Sequence, residues 1–472
     1  MNVQRWSMAA LVLALLLAFY TMGTIACGGG DDDDDDDASD DDVDDDDSDD
    51  DSDDDTADDD TGDDDTEPPC DETTRPMILM HGYLAASDTY ANTSMRFASN
   101  GYCLDRIWTF DYDTLAFLPT QNRLALRNLI DDVLEETGVD QIDLAGHSMG
   151  GGYGFYILED EDYGPKIAHY AHIASSGSDD PPDAAPILNL YSEADTIIDD
   201  KVVAGATNVD LMDQDHYQVA TSPEAFEEMY KFFNDGEEPA TTDIVPSSTI
   251  ELSGRVLSLG ANEPQADAIV KIYAVNPDTG ERLAEKALAE FHSDENGYFG
   301  PYDAEPNTYY EFHVSNVGED GLSVHYYREP FVRSNDLVYL RTLPPEDTFA
   351  GKLLEDVEFA DDHAVVVSFT ANQALVYERD TFTIDGHDMA TEDIAAPENT
   401  TIAIFYFDTD GDKESSYERY NKLVWNSPFL QGVDHYIDAS TPRAIPLVFN
   451  GRQLTVRNWK SKSQGVSIAV FD

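Results

Sequence analysis

The sequence predicts a mostly parallel, doubly wound α/β sheet followed by all-β domains, and three observations carry that prediction. Between residues 75 and 235, short apolar runs alternate with helix-period patterns. After residue 237 the helical patterns give way to strand runs and turn residues. Before residue 66 the chain reads as an apolar leader followed by an Asp-rich run, neither of which fits either part. A chain of 472 residues is also too long for one ordinary domain.

The N-terminus reads as a targeting segment. A basic start (Arg5), an apolar run over 9–20 and small residues before Cys27 give the three-part layout of a secretory signal, too short for a comfortable membrane span. Thr24-Ile25-Ala26-Cys27 resembles the cleavage box of bacterial lipoproteins, with Thr24 in place of the usual Leu. The resemblance implies a lipidated Cys27, a signal peptide over 1–27 and anchoring of the exported chain at the outer membrane or cell surface. Ordinary cleavage near the same place would release it outside the cell.

Residues 28–70 are expected to be a disordered tether. Residues 31–65 contain 26 Asp, which repel one another and offer no apolar face. The formal net charge of −72 argues against nucleic acid or anionic lipid surfaces as partners. Three Cys occur. With Cys27 lipidated, Cys70 and Cys103 remain, each just before an expected strand. In an oxidising compartment a Cys70–Cys103 disulfide is expected.

The catalytic domain is placed at 71–238. Strands are expected at 76–81, 106–112, 141–145, 167–174, 186–191 and 208–212, and helices at 88–100, 121–137, 149–159 and 223–233. The third-to-fourth spacing of Leu124, Leu126, Leu129, Ile130, Val133 and Leu134 supports the second helix. Strands alternating with helices imply a parallel sheet covered on both faces. A linker near Gly236-Glu237-Glu238-Pro239 leads to a β-sandwich at 246–345 and a last β domain at 346–472. Ser253-Gly254-Arg255-Val256, Asp294 to Phe299 and Tyr309 to Phe312 resemble a transthyretin-like β-sandwich.

Gly146-His147-Ser148-Met149-Gly150 falls between an expected strand and an expected helix. A Gly-x-Ser-x-Gly turn there is sharp enough to need glycines and presents the hydroxyl of Ser148. A hydroxyl needs a base, and the base needs an acid to fix its tautomer. Of the five His in the domain, His216 follows the last strand and is the expected base; His81, His147, His169 and His172 read as structural. Asp195 ends the strand at 186–191 and is the expected acid. Glu193, Asp199 and Asp200 are near rivals, with Asp179 and Asp180 weaker. Backbone N–H groups of Met149 and Tyr83, with Leu84 next to the latter, are the expected oxyanion donors.

Residues 76–82, the 145–151 turn, Tyr191-Ser192-Glu193-Ala194-Asp195 and His216 resemble the class 2 bacterial lipases of the α/β-hydrolase superfamily. The layout, hydrolase first and β-rich tail after, also resembles an archaeal lipase whose C-terminal part helps bind lipid. The resemblance implies Ser148, Asp195 and His216 as triad and a serine carboxylic ester hydrolase acting on acylglycerols or other fatty-acyl esters. Polyester or amide cleavage by the same triad, or a non-catalytic surface-binding lipoprotein, are the alternatives. The partner expected is a lipid or ester substrate, and no cofactor is required. Eleven residues at 175–185 leave no room for a large lid, and residues 114–119 are either an apolar flap or a loop packed on the core. Asp408, Asp410 and Asp412 have the spacing of a Ca²⁺ loop, but Arg419 stands where the bidentate Glu belongs.

Overall fold

The computed structural model describes residues 70–472 apart from 117–118, 319–320, 346–347, 349–350, 353 and 422–427. The expected signal peptide, Cys27 and nearly all of the tether therefore lie outside the described residues, as do Phe117 and Leu118 of the flap. All described residues belong to one compact unit.

The α/β part is built from β1 (Met77–Met80), α1 (Ala91–Ser99), β2 (Ile107–Phe110), α2 (Thr120–Thr137), β3 (Ile142–His147), α3 (Met149–Leu158), β4 (Ile167–Ile173), β5 (Ile187–Tyr191), β6 (Thr207–Asp210), α4 (Gln218–Thr221) and α5 (Pro223–Phe233). The strands form one parallel sheet in the order β2-β1-β3-β4-β5-β6. Strands β1 and β3 are buried along their whole length, as a sheet covered on both faces requires. The helix expected from residue 88 begins later. Residues Ser87–Tyr90 make a 3-10 turn, because Asp111 Oδ1 accepts the Ser87 N–H at 2.9 Å and the Asp88 carboxylate is drawn to Arg341. Cys70 and Cys103 are joined by a disulfide that ties the start of the domain to the approach of β2.

The C-terminal part holds β7 (Ile250–Ser258), β8 (Ile269–Ala274), β9 (Ala289–His292), β10 (Tyr298–Ala304), β11 (Tyr310–Ser315), β12 (Val324–Arg328), β13 (Leu340–Thr342), β14 (His363–Ala364), β15 (Val366–Thr370), β16 (Phe382–Ile384), β17 (His387–Asp388), β18 (Ala403–Phe407), β19 (Leu430–Asp434), β20 (Ile437–Asp438), β21 (Ala444–Phe449), β22 (Arg452–Arg457) and β23 (Val466–Phe471). The segments 246–345 and 346–472 share an eight-stranded sheet, β19-β18-β15-β23-β12-β11-β8-β9. The join is the parallel pairing of β12 with β23. Side chains alternate between its faces. Val367, Phe405 and Ile468 point into one core with β7, whereas Val366, Ile404 and Ala469 point into another with β21 and β22. Such strands are apolar on both sides, which marks a sheet that needs cover on both faces.

Burial leaves several imidazoles neutral. It pushes His147 and His313 down to about 3 and His172 and His435 down to about 4. Unfolding returns each to about 6.5, so the unfolded chain binds more protons below that pH and stability falls as pH drops toward 4. Burial acts oppositely on Glu329, raised to about 7, and Asp336, raised to about 6. Those two acids cost stability above their raised values and relieve it on acidification. The four His carry the larger combined displacement. The thermal unfolding midpoint is expected to fall steadily from pH 6.5 to pH 4, as followed by circular dichroism; a midpoint that rose across this range would refute the assignment.

Candidate active site

Strand β3 ends in Gly146-His147 and α3 starts at Met149, so Ser148 occupies a one-residue corner. It sits at φ 53°, ψ −115°, a left-handed conformation that costs about 1–3 kcal/mol for a non-glycine residue. Close approach on either side holds it there. The Ser148 N–H donates to Ile173 O at 2.8 Å, and Ser148 O accepts the Ser175 hydroxyl at 2.8 Å. A Cβ on Gly146 would lie 2.4 Å from Gly150 O, and one on Gly150 would lie 2.5 Å from Met80 O. Gly151 is equally tight against Ser175. Gly152 differs: nothing lies within 4 Å of a Cβ there, so close packing does not require a glycine at that position.

His216 follows β6, and its Nδ1 lies 2.8 Å from Asp195 Oδ2. Both are buried. Asp195 Oδ1 accepts the Ile197 N–H at 2.8 Å. Burial alone would raise the Asp195 carboxyl. The facing His216, by charge and hydrogen bond, outweighs burial together with Ile197 and holds it below its ordinary value. The acid is thereby an anion that fixes the Nδ1–H tautomer of its neighbour. His216 and Ser148 line the same pocket. Asp195 thus meets His216, whereas Glu193, Asp199, Asp200, Asp179 and Asp180 are exposed.

The remaining histidines have structural partners. His147 Nε2 lies 2.9 Å from the carbonyl of His216, with ring centroids 4.8 Å apart, so it donates to the His216 backbone. His169 pairs with Asp143 at 2.9 Å, His172 with Tyr170 at 2.9 Å, and His81 stacks on Tyr112.

The loop after β1 lies against Ser148. A Cβ on Gly82 would stand 3.1 Å from Ser148 Cβ. The Leu84 N–H is committed to Thr114 Oγ1 at 3.2 Å, so of the two neighbours Tyr83 is the better placed to offer a free donor. Met149 N–H heads α3, where a helix leaves its first amides without internal partners. Thr114 is buried and also donates to Gly260 O at 2.7 Å, so the flap is anchored at its first residue to the C-terminal part.

Sequence reasoning missed the opposite wall. The pocket over Ser148 is closed by Val367 and Phe369 of β15, Phe405 of β18, Ile468 and Val470 of β23, and Phe429. The apolar face of the eight-stranded sheet stands where a lid would otherwise be. Two cations reach this wall already paired: Arg341 forks onto both oxygens of Asp88 at 2.5 and 2.7 Å, and Arg328 meets Asp472 at 2.9 Å. The available signal was the apolar character of both faces of these strands. Asp408, Asp410 and Asp412 converge within 4.8 Å on the surface, where their carboxylates accept N–H groups of their own turn at Gly411, Asp412, Lys413 and Glu414.

Residues 74–155 match the class 2 lipase family model, residues 248–345 the lipase C-terminal domain model, and residues 364–472 a further C-terminal-domain model. Solved structures similar to part of the chain include carboxylesterase CesB from Bacillus subtilis, at 13% identity and TM-score 0.27, over 36% of this chain and 87% of that one. Aspergillus fumigatus lipase B is similar at 12% identity and TM-score 0.29, over 36% of this chain and 54% of that one. Residues 74–155 are thus lipase-like in an α/β-hydrolase fold and residues 248–345 are like a lipase C-terminal domain, which supports a hydrolase of the lipase/esterase type.

Proposed function

We propose that the chain is an exported serine carboxylic ester hydrolase that cleaves fatty-acyl esters through an acyl-enzyme. Ser148, Asp195 and His216 form its triad. The observation that carries this reading is one pocket in which Ser148 and a carboxylate-held His216 face an apolar wall. Ser148 Oγ attacks the ester carbonyl while His216 Nε2 takes its proton. The oxyanion is met by the N–H groups of Tyr83 and Met149. His216 returns the proton to the leaving alkoxide, and the acyl group stays on Ser148. Water then attacks the acyl carbon with His216 again as base, releasing the acid. Each step uses side chains and backbone of this chain alone. The apolar wall suits an aliphatic acyl chain and offers little to a polar amide substrate. Lipidation at Cys27 would hold the enzyme at a membrane surface on its acidic tether.

A panel of p-nitrophenyl esters of rising chain length, beside one p-nitroanilide, tests the reading. Turnover is expected for the esters, best for the longer acyl chains, with the anilide at least about 10²-fold slower. Equal kcat/KM for the anilide would favour the amidase alternative, and no ester turnover would sink the reading.

A further inference from the structure

We propose that Arg379, on the loop between β15 and β16, is a positioning residue for the His216 base and acts through Asp215. The inference rests on the reading of His216 as base and goes beyond it: part of the catalytic geometry is held from the C-terminal β segment.

Asp215 directly precedes His216 and is buried. Its Oδ1 accepts the Tyr217 N–H at 2.9 Å and the Gln218 N–H at 3.0 Å. The carboxylate therefore closes a loop around His216 and holds the first amide of α4. Its Oδ2 accepts the Ala374 N–H at 3.1 Å and Arg379 Nη1 at 2.9 Å. Both of those donors come from the far side of the chain. Arg379 Nη1 also meets Gln218 Oε1 at 2.8 Å, and its Nε and Nη2 are fixed by Asp380 Oδ2 at 3.0 and 2.8 Å. The guanidinium is thus a rigid fork rather than a loose surface charge.

A buried carboxylate without its cation is costly, so losing Arg379 should loosen the loop even though the Tyr217, Gln218 and Ala374 N–H groups still reach Asp215. The imidazole is gripped at its other end by Asp195, and its carbonyl by His147. Three independent restraints then fix the base, two from the α/β part and one from the β part. Other ties across the same boundary do not touch the base. Arg333, for example, donates to Ala98 O at 3.1 Å at the end of α1. A misplacement of about 1 Å in a catalytic group can cost about 10²-fold in rate.

The test uses the full chain and a soluble short-chain p-nitrophenyl ester. Arg379→Gln should lower kcat about 10- to 100-fold with KM changed less than about two-fold, as loss of geometry without loss of binding requires. Arg379→Lys should restore only part of that loss, because an ammonium keeps the charge beside Asp215 but not the fork. The double variant Arg379→Gln/Asp215→Asn should be no slower than Asp215→Asn alone, because both act on one link. Arg333→Gln should leave kcat unchanged. In parallel, proton NMR follows the His216 Nδ1–H held by Asp195, which needs no substrate; its exchange should quicken in Arg379→Gln. Unchanged kcat and exchange in Arg379→Gln, an equal loss in Arg333→Gln, or additive losses in the double variant would each overturn the inference. Failure of the wild type to turn over any ester would count against the ester reading alone, and the NMR arm would still decide the role of Arg379.

Discussion

Replacing His216 with Ala is expected to lower kcat for a soluble ester by at least about 10⁴-fold, because the proposed mechanism uses this imidazole as base in both half-reactions. Among the described residues lining the pocket, the other imidazole beside Ser148 is His147, whose pKa is held down at about 3 by burial and the nearby His216 and whose Nε2–H is spent on the His216 carbonyl. Asp195→Asn should cost about 10⁴-fold as well, since an amide at 2.8 Å from Nδ1 favours the wrong tautomer. Asp199→Asn, at an exposed position, should change kcat little. Initial rates beside far-ultraviolet circular dichroism separate these outcomes from unfolding. Equal losses at Asp195 and Asp199 would contradict the assignment.

Gly146→Ala should be nearly as damaging by a different route. The new methyl would meet backbone atoms, Gly150 O at 2.4 Å and Gly151 N at 2.9 Å, so the first turn of α3 must move and carry Ser148 with it. The helix cannot yield toward the sheet, because Gly150 already packs on Met80 O and His81 O. At least about 10²-fold in kcat and about 1–3 kcal/mol in stability are expected to be lost. Gly152→Ala, where the added methyl meets nothing, should keep activity and gain about 0.5–1 kcal/mol from helix propensity. Urea unfolding with kinetics on both variants checks the contrast; parity between them would show that close packing at the turn is not what holds Ser148.

The α/β part was legible because its signals are local. The period of α2, the apolar runs of β1 and β3 and the glycines around Ser148 each lie within a few residues of what they specify. The order of Ser148, Asp195 and His216 along the chain was legible because strand ends place such groups. Gly150, Gly151 and Gly152 look alike in the sequence, since only packing against neighbouring atoms distinguishes the first two from the third. What the sequence hid is non-local. The pairing of β12 with β23 joins segments about 140 residues apart, and no turn between them announces it. The pocket wall and the Arg379–Asp215 link are likewise contacts between segments far apart in the chain. Phe369, Phe405 and Ile468 read simply as strand residues until the sheet is assembled over Ser148.

The proposal that Ser148 is the nucleophile is tested by labelling with a fluorophosphonate and locating the adduct by peptide mass spectrometry. A single adduct on the peptide carrying Ser148, formed in step with loss of ester turnover and absent in Ser148→Ala, is the expected result. An adduct elsewhere, or ester turnover that survives Ser148→Ala, would contradict it.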